Sequence, residues 1–169
     1  ERIALVTGAS PEEIARGTGG YGRHLMSTGR DRIDGYRQAL RDAGIELVRE
    51  YLKLGDFHQE AAGQLARELL ATSPRPTAIF TTDAVITLGV LEALQSAGVA
   101  IPDDISLVGF DDPDWTVVVR PRLTVIAQPA YDLGALAAQR EVKSWRGECA
   151  TDKNNSPKSR LRLTYRDTV

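Results

Sequence analysis

Two hydrophobic patterns alternate along this chain. Short apolar or alternating runs, typical of strands, are separated by longer stretches in which apolar residues recur at helical spacing. The runs that predict strands are 3–6, 47–54, 77–82, 105–110, 123–127 and 160–165. The stretches that predict helices are 31–43, 59–71, 84–97 and 129–145. This alternation predicts an α/β fold: a doubly wound, mostly parallel sheet with helices on both faces.

Two stretches follow neither pattern. Residues 9–29 hold five glycines among scattered charges, and a loop of that length inside a compact domain is usually functional or disordered. We therefore predict a mobile glycine-rich loop at 9–29 and a loose polar segment at 147–159. A chain of 169 residues suits a single hydrophobic core, so residues 1–169 are predicted to form one α/β lobe. Because the sequence enters a strand at once, we expect this lobe to be a fragment.

Composition narrows the partners that the chain is expected to have. With 42% hydrophobic and 26% charged residues and a net charge of -2, it lacks the basic surface that nucleic acid requires. No apolar stretch approaches the roughly 18 residues of a membrane span. Cys149 is the single cysteine, which excludes an internal disulfide and fits a cytoplasmic location. We expect no direct DNA contact, no membrane association, and neither metal nor cofactor.

The sequence motifs give little support to an enzyme. The opening ALVTGAS resembles the start of short-chain dehydrogenases, where TGxxxGxG lets backbone approach a pyrophosphate. Here Pro11-Glu12-Glu13 follows, the later glycines are absent, and the YxxxK pair of that family has no match. GTGGYG at 17–22 fits GxGxxG but lies too far beyond the strand. An NAD(P)-dependent oxidoreductase is the weaker alternative, and the chain is predicted not to be an enzyme.

Acidic residues follow two of the predicted strands. The run 77–82 meets Asp83, and the run 105–110 meets Asp111 and Asp112. The carboxyl ends of parallel strands share one edge of a sheet, where ligands bind in a crevice. Asp111 is therefore predicted to bind a ligand, and Asp112 to cap the short helix that we expect at 113–118.

Three further side chains are candidates for the same edge. Arg30 lies at the start of the first long helix, where a guanidinium can grip a hydroxyl pair or a carboxylate. An exposed arginine without a ligand is an equal alternative. Phe57 and Trp115 follow strand ends, where an aromatic face can cover a ring, although either can equally belong to the core.

Longer motifs carry a family resemblance. IPDDISLVGFDD at 101–112, followed by PRLTVIAQP at 121–129, resembles the signature of the effector-binding domain of LacI/GalR-type bacterial transcription regulators. RDRIDGYRQALRDAGI at 30–45 is similar to a helix of that family. TAIFTTDAVITLGVLEALQSAGV at 77–99 is similar to the family's preceding strand and helix. Together these motifs span most of the chain between Gly29 and Pro129.

The resemblance implies a periplasmic-binding-protein-like core of two lobes that close over a sugar-like or nucleoside-like effector. This chain corresponds to the second lobe only. The effector-binding residues that the resemblance implies are Arg30, Thr82, Asp83 and Asp111, with Phe57 and Gln128 at the margins. Asp83 can instead cap the following helix. Thr82-Asp83 stands where the family usually has Asn-Asp, which leaves the identity of the effector open.

The resemblance also implies the partners of the complete protein. DNA is expected to bind only through a helix-turn-helix headpiece that this chain does not contain. A homodimer is expected to form through the helix at 84–97 and the apolar segment at 115–119. A solute-binding protein of a sugar transporter shares the fold and is the main alternative.

Overall fold

The computed structural model describes residues 1–8, 27–145 and 161–169. Its strands are β1 (Ile3–Gly8), β2 (Leu52–Gly55), β3 (Ala78–Thr81), β4 (Ser106–Phe110), β5 (Thr124–Ala127) and β6 (Arg162–Thr164). Its helices are α1 (Ser27–Asp42), α2 (Gln59–Ala71), α3 (Ala84–Ser96) and α4 (Ala130–Trp145). Short 3₁₀ helices lie at Arg49–Tyr51 and Asp114–Val117. The predicted α/β architecture is confirmed.

All six strands belong to one sheet, in the order β2-β1-β3-β4-β5-β6. Strands β1 to β5 pair in parallel, and β6 pairs antiparallel with β5 at the edge. Because β1 lies between β2 and β3, the chain changes its direction of travel across the sheet after β2. The carboxyl ends of β1 and β3 are therefore the topological switch point, where a doubly wound sheet opens a crevice for ligands.

Two predicted elements begin more than two residues away from their position in the structure. The run 47–54 was expected to be one strand, but its first half is a loop and the 3₁₀ helix Arg49–Tyr51. Leu47 is 45% exposed, so the apolar alternation there does not reflect burial, which begins only at Tyr51. Helix α1 begins at Ser27, within the predicted loop 9–29. The rest of that loop, and the segment 147–159, lie outside the described residues.

Helices α2 and α3 cover one face of the sheet and form the larger part of the core. They pack on the inward side chains of β1, β3, β4 and β5. The largest fully buried side chains of this cluster are Val6, Leu69, Ile79, Ile86, Val90, Leu91, Leu94, Ile105, Leu107 and Leu123. Continuous apolar strands of this kind need cover on both faces, which explains the runs seen in the sequence.

Helix α1 packs on the opposite face, chiefly over β1 and β2. Ile33, Tyr36 and Leu40 of this helix bury Leu5 and Leu52. The Tyr36 hydroxyl donates a hydrogen bond of 2.7 Å to a backbone carbonyl of β1, and burial raises the pKa of Tyr36 to about 12. This side chain therefore joins the helix to the first strand through both apolar contact and a hydrogen bond.

Beside α1, the same face carries an open groove of about 780 Å³. Its walls are mainly apolar, with Ile3, Phe80 and Phe110 from the sheet and Ala39 and Ala43 from α1 among them. Helix α4 does not fill it, since each of its described side chains is exposed or only partly buried. None of the helices in the described ranges combines the length and the apolar character needed to cross a bilayer.

Gly89→Ala is expected to lower the free energy of unfolding by about 2 kcal/mol through overpacking. A Cβ at Gly89 would overlap the backbone carbonyl of Gln59 at the start of α2, and backbone cannot move aside as a flexible side chain can. Gly134→Ala is the matched control, because nothing lies within 4 Å of the Cβ position in that helix. The control is expected to retain or gain about 0.5–1 kcal/mol. Urea denaturation followed by circular dichroism measures both, and equal stabilities would contradict the close α2–α3 contact.

Candidate functional site

Polar and aromatic residues gather where the parallel strands end. Five of the six residues that the sequence predicted for the site lie within two residues of the carboxyl ends of β2 to β5: Phe57, Thr82, Asp83, Asp111 and Gln128. The sixth, Arg30, lies in the first turn of α1. The fold thus brings the predicted residues to the sheet edge that contains the topological switch point.

Thr82 is buried at this edge and links the ends of two strands. Its side chain is 2% exposed, and its hydroxyl donates to the Thr7 hydroxyl oxygen at 2.8 Å. The Thr82 carbonyl accepts a hydrogen bond of 2.9 Å from Nη1 of Arg32. With its hydroxyl committed inside the protein, Thr82 joins the ends of β1 and β3, and its direct contact with a ligand stays a prediction.

Arg32 is the functional candidate that the sequence reading missed. Besides its bond to Thr82, its guanidinium carbon lies 4.2 Å from the centroid of the Phe110 ring, a cation–π contact that fixes the side chain over the end of β4. Residues two apart on a helix do not face the same side, so Arg30 and Arg32 cannot share this position. The available signal was spacing, because Arg32 precedes the buried Tyr36 and Leu40 by four and eight residues. The role predicted for Arg30 stays a prediction.

Asp83 caps helix α3. Its Oδ1 accepts from the backbone N–H of Val85 at 2.7 Å and of Ile86 at 3.4 Å, and the Thr87 hydroxyl donates to its carbonyl at 2.6 Å. Capping, the alternative that the sequence left open, is confirmed. A contact between Asp83 and a ligand stays a prediction.

Asp111 has an unusual backbone conformation at the end of β4. Its φ of 68° lies in the left-handed region, which only Asn and Asp among non-glycine residues occupy with any frequency, at a cost of about 1 kcal/mol. Its N–H donates to the Ile126 carbonyl at 2.9 Å. The side-chain amide of Gln128 donates to its Oδ1 at 2.5 Å. Two bonds to the β5 segment therefore hold a strained residue and aim a half-buried carboxylate along the sheet edge.

Asp112 was expected to cap the next helix, and that prediction is wrong. Its two oxygens accept a bidentate pair from Arg166, at 2.9 Å and 2.8 Å, and Oδ1 also accepts from the Thr116 hydroxyl at 2.6 Å. Pro113 precedes the short 3₁₀ helix, and no side chain caps its backbone N–H groups. The hydrogen bond from Arg166, a residue far along the chain, dominates the environment of Asp112 and holds the pKa of Asp112 below its usual value.

The two aromatic candidates lie in different environments in the structure. Phe57 is 43% exposed, and its ring lies on Gly8, where a Cβ would have no room. Its outer surface is therefore available at the edge near the switch point. Trp115 is partly buried against the main hydrophobic core, so the core reading holds for that residue.

The arrangement suits a neutral, hydroxylated ligand. Asp111 offers a carboxylate oxygen, Arg32 and Gln128 offer N–H donors, and Phe57 offers an aromatic face, a set that can bind paired hydroxyls and cover a ring. Within residues 1–8, 27–145 and 161–169, no three His, Cys, Asp or Glu side chains lie together in a way that could hold a metal ion.

Known proteins share this sequence and fold. A family model described as a periplasmic binding protein-like domain matches residues 1–169. The chain is 39% identical, over 146 residues, to the "Probable opine utilization operon repressor" of Rhizobium rhizogenes, covering 86% of this chain and 70% of that protein. It is 42% identical, over 103 residues, to the HTH-type transcriptional repressor CytR of Escherichia coli strain K12, covering 61% of this chain and 30% of that protein.

A solved structure, the transcriptional regulator CelR–cellobiose complex, superposes with a TM-score of 0.79 at 26% identity, covering 99% of this chain and 46% of that chain. The transcriptional regulator LacI from Bacillus cereus subsp. cytotoxis superposes with a TM-score of 0.79 at 31% identity, covering 99% of this chain and 54% of that chain. A doubly wound lobe that carries polar groups at its switch point is typical of ligand-binding domains. The chain belongs to the periplasmic binding protein-like family, among the LacI-type transcription regulators, as its motifs indicated. It spans 70% of the length of the opine operon repressor, 30% of that of CytR and about half of that of the CelR structure.

Asp112→Asn is expected to lower the free energy of unfolding by about 1–2 kcal/mol at pH 7, the scale of a charged hydrogen bond. The Arg166 side chain, only 13% exposed, loses its charged partner. Asp167→Asn is the matched control, because it breaks an ion pair with Arg122 that is exposed on both sides and that should matter less. Urea denaturation of the three proteins measures the difference.

The effect of Asp112→Asn should depend on pH in one direction. The pKa of Asp112 is lower in the folded protein than its usual 3.8. Its contribution is therefore present above 3.8 and is lost as the pH falls through the lowered pKa. The gap between wild type and Asp112→Asn should stay constant from pH 7 to about 5 and narrow in stronger acid. A gap unchanged at pH 3 would contradict the ion pair.

Proposed function

We propose that this chain is the effector-sensing lobe of a LacI-type DNA-binding transcription regulator. Its effector is a small sugar-like or nucleoside-like molecule, bound in the cleft between this lobe and a second one. The observation that carries the proposal is the strained Asp111, aimed by Gln128 along the sheet edge that Arg32 and Thr82 also form. The protein acts in the cytoplasm, without enzymatic activity and without a cofactor.

The proposed site combines the predicted residues with one addition. The effector contacts come from Arg30, Phe57, Thr82, Asp83, Asp111 and Gln128, and Arg32 joins them on its geometry. The Asp111 carboxylate accepts from effector hydroxyls, and the guanidinium of Arg32 donates to effector oxygens. The exposed side of Phe57 stacks on the ring of a sugar or base.

The proposed mechanism is a population shift. An effector that contacts both lobes binds their closed arrangement more tightly, so it raises the population of that arrangement by its difference in affinity. DNA binds through a headpiece that lies outside this chain. Effector and DNA then influence each other reciprocally through the closed state, which is what defines allostery.

Dimerisation is proposed through α3 and the segment 115–119. Val85, at the start of α3, is 45% exposed, while Val117 and Val118 are 46% and 69% exposed. Several large apolar side chains exposed on neighbouring elements mark protein interaction surfaces more often than chance.

The comparisons support the regulator over its alternatives. A relative matched over most of this chain carries the name of an operon repressor, and a regulator of the same fold was solved with cellobiose. A transporter's solute-binding protein or an NAD(P)-dependent oxidoreductase has no such support among these proteins.

A thermal-shift panel on the full-length protein tests the proposal. The panel contains cellobiose, ribose, cytidine, adenosine, octopine as an opine, and NAD(P)⁺. We expect a sugar, nucleoside or opine to raise the melting temperature, since a ligand at a hundred times its Kd adds about 2.7 kcal/mol. Stabilisation by NAD(P)⁺ alone, or by no member of the panel, would count against an effector-sensing lobe of this class.

Asp111→Asn should lower affinity for the stabilising compound at least about tenfold, because a hydrogen bond to a charged group is lost. Asparagine tolerates the left-handed backbone and still accepts from Gln128, so the fold should survive. Asp103→Asn removes the same charge from an exposed turn and serves as the control. Isothermal titration calorimetry measures both affinities, and equal values would remove Asp111 from the site.

A further inference from the structure

Gln128 lies where the sheet ends and α4 begins. Strand β5 finishes at Ala127, and the Ala130 N–H donates to the Gln128 carbonyl at 2.9 Å. The Leu133 N–H then donates to the Pro129 carbonyl at 3.0 Å, which forms the first turn of the helix. Since each described side chain of α4 is exposed or only partly buried, packing gives this helix little hold on the lobe. The residues that lead into this helix therefore contribute to its position.

The Gln128 side chain donates a hydrogen bond to the carboxylate of Asp111, the residue proposed to bind the effector. Its Nε2 donates to Asp111 Oδ1 at 2.5 Å, and a hydrogen bond to a charged acceptor is stronger than one between neutral groups. The Asp111 N–H is tied to the same segment through the Ile126 carbonyl. No hydrogen bond from the described part of the chain reaches Asp111 Oδ2, which leaves that oxygen for a ligand.

We propose that Gln128, besides its contact with the effector, is a positioning residue that couples effector binding to the start of α4. Its amide holds one oxygen of Asp111, so that the other oxygen faces the effector. The same bond makes the start of α4 sensitive to whether the carboxylate is occupied. This inference rests on the proposed function, because it assumes that Asp111 binds the effector.

The coupling has a defined direction. An effector that donates to Oδ2 restricts rotation of the Asp111 carboxylate, so Oδ1 stays in place to accept from Gln128, and ordering by one partner lowers the entropy cost for the other. The amide of Gln128 is then held more firmly, and the first turn of α4 is better ordered. By linkage, any change that frees the start of α4 weakens effector binding by the same factor.

Amide hydrogen exchange on the full-length protein, measured without effector, tests whether the Gln128–Asp111 hydrogen bond orders the start of α4. Gln128→Ala should speed exchange of the Ala130 and Leu133 amides about fivefold, the scale of one net hydrogen bond. Gln128→Glu keeps the size of the side chain but places a carboxylate against Asp111, so it should speed exchange at least as much. Gln139→Ala, at an exposed glutamine of the same helix, should leave the first turn unchanged.

A reciprocal swap gives the decisive comparison. In the double variant Gln128→Glu with Asp111→Asn, the asparagine amide can donate to the new carboxylate, which restores the bond with donor and acceptor exchanged. Exchange of the first turn should return to within about twofold of wild type, a difference smaller than one hydrogen bond. If Gln128→Glu alone exchanges like wild type, or if the swap restores nothing, Gln128 only fills space and the proposal is overturned.

The effector arm separates this inference from the proposed function. Saturation with the panel compound that stabilises wild type should slow exchange of the Ala130 and Leu133 amides about fivefold in wild type and in Gln139→Ala, the scale of one net hydrogen bond, but not in Gln128→Ala. An equal slowing in Gln128→Ala would refute the coupling and leave the sensing role intact. If no panel compound binds wild type, the sensing role fails, and the exchange results still decide whether Gln128 tethers α4.

Discussion

The parallel pairing of β1, with β2 on one side and β3 on the other, determines where the polar groups of this lobe lie. Parallel strands all finish at the same edge, and their carboxyl ends need polar side chains to receive the backbone groups that the next helix leaves unpaired. Thr7 and Thr82 meet at this edge through their hydroxyls, and Asp83 begins α3 there. The site is thus a consequence of strand order, and its residues come from segments that are far apart in sequence.

The residues that follow β6 lie against the amino-terminal parts of β4 and β5, away from this edge. The Thr168 hydroxyl, fully buried, donates to the Leu107 carbonyl at 2.6 Å and accepts from the Thr124 N–H at 2.8 Å. Arg166 meanwhile pairs with Asp112. The two adjacent carboxylates therefore have different roles. Asp112 forms an ion pair with Arg166, and Asp111 lies at the carboxyl edge of the sheet with the proposed site.

The sequence predicted what local periodicity determines. Helix α2 has the predicted bounds, 59–71, because its apolar residues face one way and breakers flank it. The run 47–54 was predicted as one strand, but the strand begins only at Leu52, because the apolar pattern before it includes the exposed Leu47. Arg32 and the Arg166 pair escaped prediction for a different reason. Each acts through a partner fifty or more residues away, and a distant partner leaves no mark on local spacing.

The open groove beside α1 has a thermodynamic consequence for the lobe. Apolar walls around some 780 Å³ stabilise the folded state fully only when they are covered. Covering and folding are therefore linked equilibria, and any occupant of the groove adds its binding free energy to the unfolding free energy of the lobe. A lobe with its groove filled therefore melts at a higher temperature than the same lobe with the groove open. The melting temperature of this chain is thus a property of its surroundings as much as of its own core.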